Sequence, residues 1–260
     1  MTLFGGASRY LPVFVLAISF SLILAAPLIA PADPLATDTA HQLLPPDSLN
    51  ILGTDFLGRD VFSRFLYGGQ RTLLIALGAT LVAFAPGALL GLGLGVSPRA
   101  VDALGSVMLN AVLAFPGLAL ALIVLTLMGQ GTLPLILATG LAQIAPCARV
   151  TRAAVLSIRA SGYVEAAHAL GAPPARVAVR HLLPNILPTV LAYAGVTFSF
   201  SILNSAALSF LGFSEPGVPD WGLMLAEGRQ AFRVAPWIAA APGIGIAVVV
   251  WLVNKVSEKV

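Results

Sequence analysis

Between Asp102 and Arg149 the chain runs for 46 positions, 103 to 148, without one Asp, Glu, Lys or Arg. A helix needs about 20 apolar residues to cross some 30 Å of hydrocarbon, so this stretch holds two crossings rather than one. Gly129-Gln130-Gly131-Thr132 divides it, and the pair reads as a tight helical hairpin. Only 10% of the 260 residues are charged and 58% are hydrophobic, against about 25% charged in an ordinary soluble domain. A typical water-soluble enzyme is therefore excluded.

Other charge-free stretches supply the remaining spans. Residues 10–32, between Arg9 and Asp33, form the first. A cleaved signal peptide competes for this segment, since Ala30-Pro31-Ala32 imitates a cleavage site. Its apolar part, however, exceeds the usual 7 to about 15 residues, and Arg9 alone precedes it. Arg71 to Arg99 encloses a second span near 72–96; a fifth is expected near 188–211 and a sixth near 234–254. The expected fold is all-α: a polytopic membrane protein of six transmembrane helices, with both termini on one side.

Loop charge decides which side. With the amino terminus inside, inner segments hold nine cations (Arg9, Arg99, Arg149, Arg152, Arg159, Arg176, Arg180, Lys255, Lys259) against Asp102, Glu165 and Glu258. Outer segments hold five cations (Arg59, Arg64, Arg71, Arg229, Arg233) against eight acids. Inner +6 and outer −3 give the net +3, and place both termini in the cytoplasm. So small a net charge does not point to nucleic acid. The single Cys147 forms no internal disulfide and reads as packing.

Two units are expected: residues 1–70, a membrane helix plus an outer loop with an amphipathic segment, and a core unit, 71–260, of five membrane helices. In the outer loop Leu57, Val61, Phe62 and Phe65 recur at helical spacing with Arg59, Asp60 and Arg64 between them. That pattern suits a short helix at the membrane surface, or equally a solvated one. A second outer segment, 212–233, begins with turn-forming Pro pairs and continues helically with Trp221 at interfacial depth. Gly87, Gly91 and Gly95, each four apart, read as a close helix-packing face rather than a ligand loop.

The inner connection, 149–187, is the most informative. Tyr163 to Leu170 should be helical, Gly171 suits a left-handed helix end, and Pro173-Pro174 suits the first turn of a helix running to Leu183. Pro184 and Pro188 are expected to separate that helix from the fifth span. Small Ala166 and Ala167 let another protein approach closely, and Arg176 and Arg180 lie one turn apart.

Glu165-Ala166-Ala167, three residues, Gly171, and a later Leu183-Pro184 resemble the EAA loop of permease subunits in bacterial ATP-binding cassette importers. His181 stands where isoleucine is usual, but RHLLPN (Arg180 to Asn185) is similar to the dipeptide, oligopeptide and nickel branch. LGTDFLGRDVFSR (52–64), AFPG (114–117), LSFLGF (208–213), DWG (220–222) and APW (235–237) extend the resemblance over most of the chain. The tail after the sixth span is shorter than in relatives.

The resemblance implies a MetI-like, type I permease in the bacterial inner membrane. It would pair with a second homologous permease, two ATPase subunits and an extracytoplasmic binding protein that delivers a peptide, nickel or a metal chelate. The coupling residues it implies are Glu165, Ala166, Ala167, Gly171, Arg176, Arg180, His181 and Pro184. ATP and Mg would be used by the partner ATPases and no cofactor by this chain: no G-x-x-x-x-G-K-[ST] is present, and the only lysines are Lys255 and Lys259. Neither H-E-x-x-H nor G-x-S-x-G occurs, and the three histidines (His41, His168, His181) are scattered, so no catalytic or metal-binding residue is assigned. A non-transport membrane scaffold or intramembrane enzyme is the alternative. Asn110, Gln143, Asn204 and Ser205, polar groups at apparent membrane depth, suit a substrate pathway or local helix–helix hydrogen bonds equally.

Overall fold

A computed structural model describes the backbone of residues 7–259 and the side chains of residues 13–259 except 168 and 174. Residues 1–6 and 260, and the side chains of Arg9 and His168, lie outside the described residues. Within them the fold is helical; the one β feature is an isolated bridge between Thr54 and Asp60.

Helix α1 (Ala7–Leu24) leads across Ala25 into the short α2 (Ala26–Ile29). After an irregular segment with one 3-10 turn (Thr39–His41), α3 (Val61–Val96) runs for 36 residues. Asp60 starts it, its carboxylate accepting the Ser63 N–H at 2.7 Å. The expected short surface helix around Leu57–Phe65 is therefore corrected: from Val61 onward it is the first turns of α3, which continues unbroken through residues 70 and 71.

α3 lies along α6 (Thr132–Arg159), and its glycines are the contact. A Cβ on Gly87 would stand 2.7 Å from the Cβ of Cys147, and one on Gly95 2.6 Å from a Val155 methyl; on Gly91 it would strike the Ala148 carbonyl. Gly93, off that line, has nothing within 4 Å. The i, i+4, i+8 spacing thus puts a side-chain-free groove against a neighbouring backbone.

The third expected span is not straight. It is α4 (Arg99–Leu113) and α5 (Gly117–Met128), bent by 78° at Ala114-Phe115-Pro116. Pro116 lacks an N–H and disfavours helix at Phe115, so the helix stops there. The hairpin corner to α6 falls at 129–131 as expected, with Gly129 and Gly131 both at positive φ.

α7 (Gly162–Ala169) follows, then Gly171 at φ +79°, then α8 (Pro174–Val177). No break at Pro184 or Pro188 ends that second helix. A π-helical turn, Ala178–Leu182, passes directly into α9 (Leu183–Leu208), and a second π turn, Ser209–Phe213, ends it; the apolar helix counts 39 residues, Ala175–Phe213. Pro184 falls in the first turn of α9, where its missing N–H costs little, and the π turn accommodates the irregular bonding before it. α10 (Trp221–Ala231) and α11 (Trp237–Ser257) complete the chain.

Among the described residues four helices have the length and apolarity to cross a membrane, five if the bent α4–α5 pair counts as one. The expected first span, α1, shows a short apolar stretch, Val13–Leu24, among the described residues, so six spans are not established. Arg159 donates to the Gly95 and Ser97 carbonyls, which sets the ends of α3 and α6 together beside α7. At the opposite end, Arg71 reaches the Val218 carbonyl and Trp237 donates to the Thr54 carbonyl. The bundle thus has an elbow end, at α7, and a loop end.

Trp221 centres the main core. It is wholly buried, stacked on Phe65 with ring centroids 5.3 Å apart, and its indole N–H donates to the Phe65 carbonyl at 2.9 Å. Ile23, Ile202, Ile238 and Val249 close around it, joining α1, α3, α9, α10 and α11. The indole's single donor finds a backbone carbonyl, so the ring is buried without an unmet polar group.

Candidate functional site

The elbow at α7–α8 has two unlike faces. Its inner face is fixed by apolar packing: Val164, Val177 and Leu182 are buried with Val155 of α6 and with Ile186 and Val190 of α9. Its outer face is open. Glu165, Ala166, Leu170, Arg176 and Arg180 are exposed, and Leu170, at 89% exposure, is among the most solvent-accessible apolar residues. Glu165 and the two arginines make no side-chain hydrogen bond or ion pair among the described residues. Ala167 is half-buried against the cluster, and His181 is half-buried with its ring 6.3 Å from that of Tyr163. Pro184 is exposed, on the first turn of α9. The arrangement is a small two-helix unit, clamped by one face to α6 and α9, with its charged and small residues displayed on the other.

The four polar residues expected at membrane depth do not converge. Gln143, on α6, is buried, and its amide donates weakly across to the Thr197 carbonyl of α9 at 3.4 Å. Ser205 is buried and donates to its own helix at Ile202. Asn204 is half-buried on the neighbouring position of α9. Asn110 stands apart, exposed on α4, beside a cavity of about 170 Å³ that Arg149 and Arg152 also line. Asp102 chelates Arg152 with both carboxylate oxygens, the longer contact being 2.7 Å, and ties α4 to α6.

Sequence reasoning missed a charged network at the loop end. Arg64 is 2% exposed and Asp55 1%. Arg64 donates to Asp55 and, at 2.7 Å, to Glu227 of α10; Arg59 donates to Asp55 at 2.7 Å and to Glu227 at 3.3 Å. Two cations and two anions thus pin the segment before α3 onto α10. The signal lay in DFLGRDVFSR, where Asp55 and Arg59 are four apart and Arg64 follows. Read as the wet face of a surface helix, those charges were placed in water. A second knot lies nearby: Glu215 accepts from Arg71 at 3.1 Å and from Thr132 at 3.0 Å. Gln130 donates to the Gly212 carbonyl at 2.7 Å. Asp220 accepts the Leu223 N–H and the Ser214 hydroxyl, which starts α10. Among the described residues no group of three or more His, Cys, Asp or Glu is placed to hold a metal.

Residues 87–258 match the family described as binding-protein-dependent transport system inner membrane component. A di/tripeptide transport system permease protein, DppC, of Pseudomonas aeruginosa is 35% identical over 252 residues, covering 94% of this chain and 83% of that protein. A dipeptide permease of Alkalihalophilus pseudofirmus is 34% identical, covering 92% and 80%. A glutathione transport permease, GsiD, of Pectobacterium atrosepticum is 33% identical, covering 82% and 71%. In fold the chain is similar to the inward-facing MetNI methionine ABC transporter, with a TM-score of 0.63 at 21% identity over 76% of this chain and 94% of that one. The family match, 87–258, takes in the α3 glycine groove, the bent pair, the elbow and α11. The chain therefore belongs to the family of binding-protein-dependent transport system inner membrane components.

Proposed function

We propose that this chain forms half of a peptide-translocating channel and couples it, through the α7–α8 elbow, to ATPase subunits. A second homologous permease completes the channel, two ATPases that use ATP and Mg bind the elbow end, and an extracytoplasmic protein delivers cargo to the loop end. The inner +6 and outer −3 charge, counted over six spans, supports a cytoplasmic elbow end and cytoplasmic termini. Short peptides are the cargo class, in line with the names of the relatives that cover the chain most fully.

One observation carries the coupling role: Glu165, Ala166 and Leu170 are displayed without partners among the described residues on a unit whose other face is buried. A docked ATPase that moves the elbow moves α6 and α9 with it, because Val164 and Leu182 are packed into both. ATP binding then selects between two bundle arrangements, open to one side or the other. Gln143, lodged between α6 and α9, lies at the seam that such rocking would shear.

Affinity purification from membranes tests this reading. An ATPase should come down with the wild-type chain and be depleted in Glu165→Arg, and a cysteine at Ala166 should react only with a thiol reagent that reaches the cytoplasm. Absence of any ATPase from the wild-type preparation, or labelling of Ala166→Cys from outside, refutes it.

A further inference from the structure

A cavity of about 680 Å³ opens at the loop end, between the segment after α2, the first turns of α3 and residues 218–219. Its volume is that of a small-ligand site. Its walls carry one charge of each sign. Asp33 contributes a carboxylate of which one oxygen is engaged, accepting the Leu35 N–H at 2.8 Å. Arg71 contributes a guanidinium that is 7% exposed, its Nε buried and its two terminal nitrogens held in place by Glu215 and the Val218 carbonyl. Tyr67 and Gln70 add a phenol and an amide on the same face of α3, while Leu35 and Leu74 supply apolar wall.

We infer that this cavity is a receiving site for a short zwitterionic peptide, its ammonium group against Asp33 and its carboxylate toward Arg71. A free di- or tripeptide carries both charges within about 4 to 10 Å along its backbone, and its side chains vary. A site that reads the two termini and leaves the rest to apolar walls suits such cargo. The preset guanidinium matters because a fixed donor loses little freedom when a carboxylate arrives. The inference rests on the peptide reading and on the loop end being extracytoplasmic.

The test uses the assembled transporter in nanodiscs with a photoreactive dipeptide, alanyl-benzoylphenylalanine. Irradiation should label segments 32–35 and 67–74, free Ala-Ala should compete the label away, and Asp33→Asn should lower labelling about tenfold, the loss of one charge-assisted contact. The N-acetylated photoprobe should label the wild type as weakly as the parent probe labels Asp33→Asn. Labelling elsewhere, or labelling indifferent to Ala-Ala and to Asp33→Asn, overturns the inference. Ala-Ala uptake by wild-type proteoliposomes, measured in parallel with the binding protein present, separates the two readings. Uptake without cavity labelling defeats the site alone; no uptake of any short peptide defeats the cargo reading and the site together.

Discussion

Arg64 and Asp55 form an ion pair with both side chains almost completely out of water, at the point where the loop before α3 meets α10. Desolvating two charges is expensive, so the pair is a poor source of stability in itself but a severe liability once broken. Arg64→Met should cost up to about 3–5 kcal/mol, because buried Asp55 and half-buried Glu227 are left with Arg59 as their one shared cation. It reads as a large drop in the thermal midpoint of the detergent-solubilised protein. Asp55→Asn combined with Arg64→Met should recover a substantial part, because Arg59 and Glu227 then remain as a one-to-one pair. A double variant as unstable as the sum of the singles would contradict this account.

The glycine groove gives a second prediction. Gly91 faces the Ala148 carbonyl and Thr151, backbone and side chain that cannot withdraw, whereas Gly93 faces open space. Gly91→Val should therefore destabilise the α3–α6 contact by about 1–3 kcal/mol or more, the usual cost of overpacking, while Gly93→Val stays within about 1 kcal/mol. Comparing thermal midpoints of the two variants checks it; equal losses would mean that the groove is not the contact.

At the elbow, Gly171 stands at φ +79° with nothing within 4 Å of a would-be Cβ. Its substitution is then a pure backbone effect. Gly171→Val should strain the corner by about 1–2 kcal/mol and lower transport coupled to ATP hydrolysis, whereas Gly171→Asn, which tolerates the left-handed region, should restore most of it. The measurement is uptake per ATP hydrolysed in proteoliposomes. If both variants behave alike, bend geometry is not what couples the elbow.

How far these features were legible differs by the physics behind them. Periodicity found the α3 glycine face and the helix–glycine–helix elbow, because spacing along one helix and the conformational freedom of one glycine are local facts. The corner at Gly129-Gln130-Gly131 was legible for the same reason. The burial of Arg64 and Trp221 was not legible, because each is covered by a partner far away in sequence. Arg64 finds Glu227, 163 positions on, and Trp221 finds Phe65, 156 positions back. Pro184 and Pro188 looked like helix stops, but a π turn, which has no sequence spacing of its own, leads the chain into α9 at Pro184, and Pro188 sits inside α9. The polar residues at membrane depth could be found but not paired, since the partner of Gln143 is a backbone carbonyl, which leaves no mark in a sequence.

The Glu215 knot yields the last prediction. Its carboxylate takes Arg71 from α3 and Thr132 from the start of α6, while the preceding Gly212 carbonyl takes Gln130 from the α5–α6 corner. Three core helices and the end of α9 are thereby joined at the loop end by hydrogen bonds to one short segment. Glu215 is 49% exposed, so each bond is individually weak, and the knot can open and close without a large barrier. Any rearrangement that parts α3 from α6 at this end must release Glu215 first. Glu215→Ala should therefore shift the bundle toward arrangements in which the two helices separate there, with little effect on global stability. Paired spin labels at Leu74 and Leu133, both exposed apolar positions on α3 and α6, report the separation. The Glu215→Ala distance distribution should broaden toward longer values, and Glu215→Gln, which still accepts from Arg71, should fall between it and wild type. Superimposable distributions for all three proteins would show that the segment is a passive tether rather than a latch.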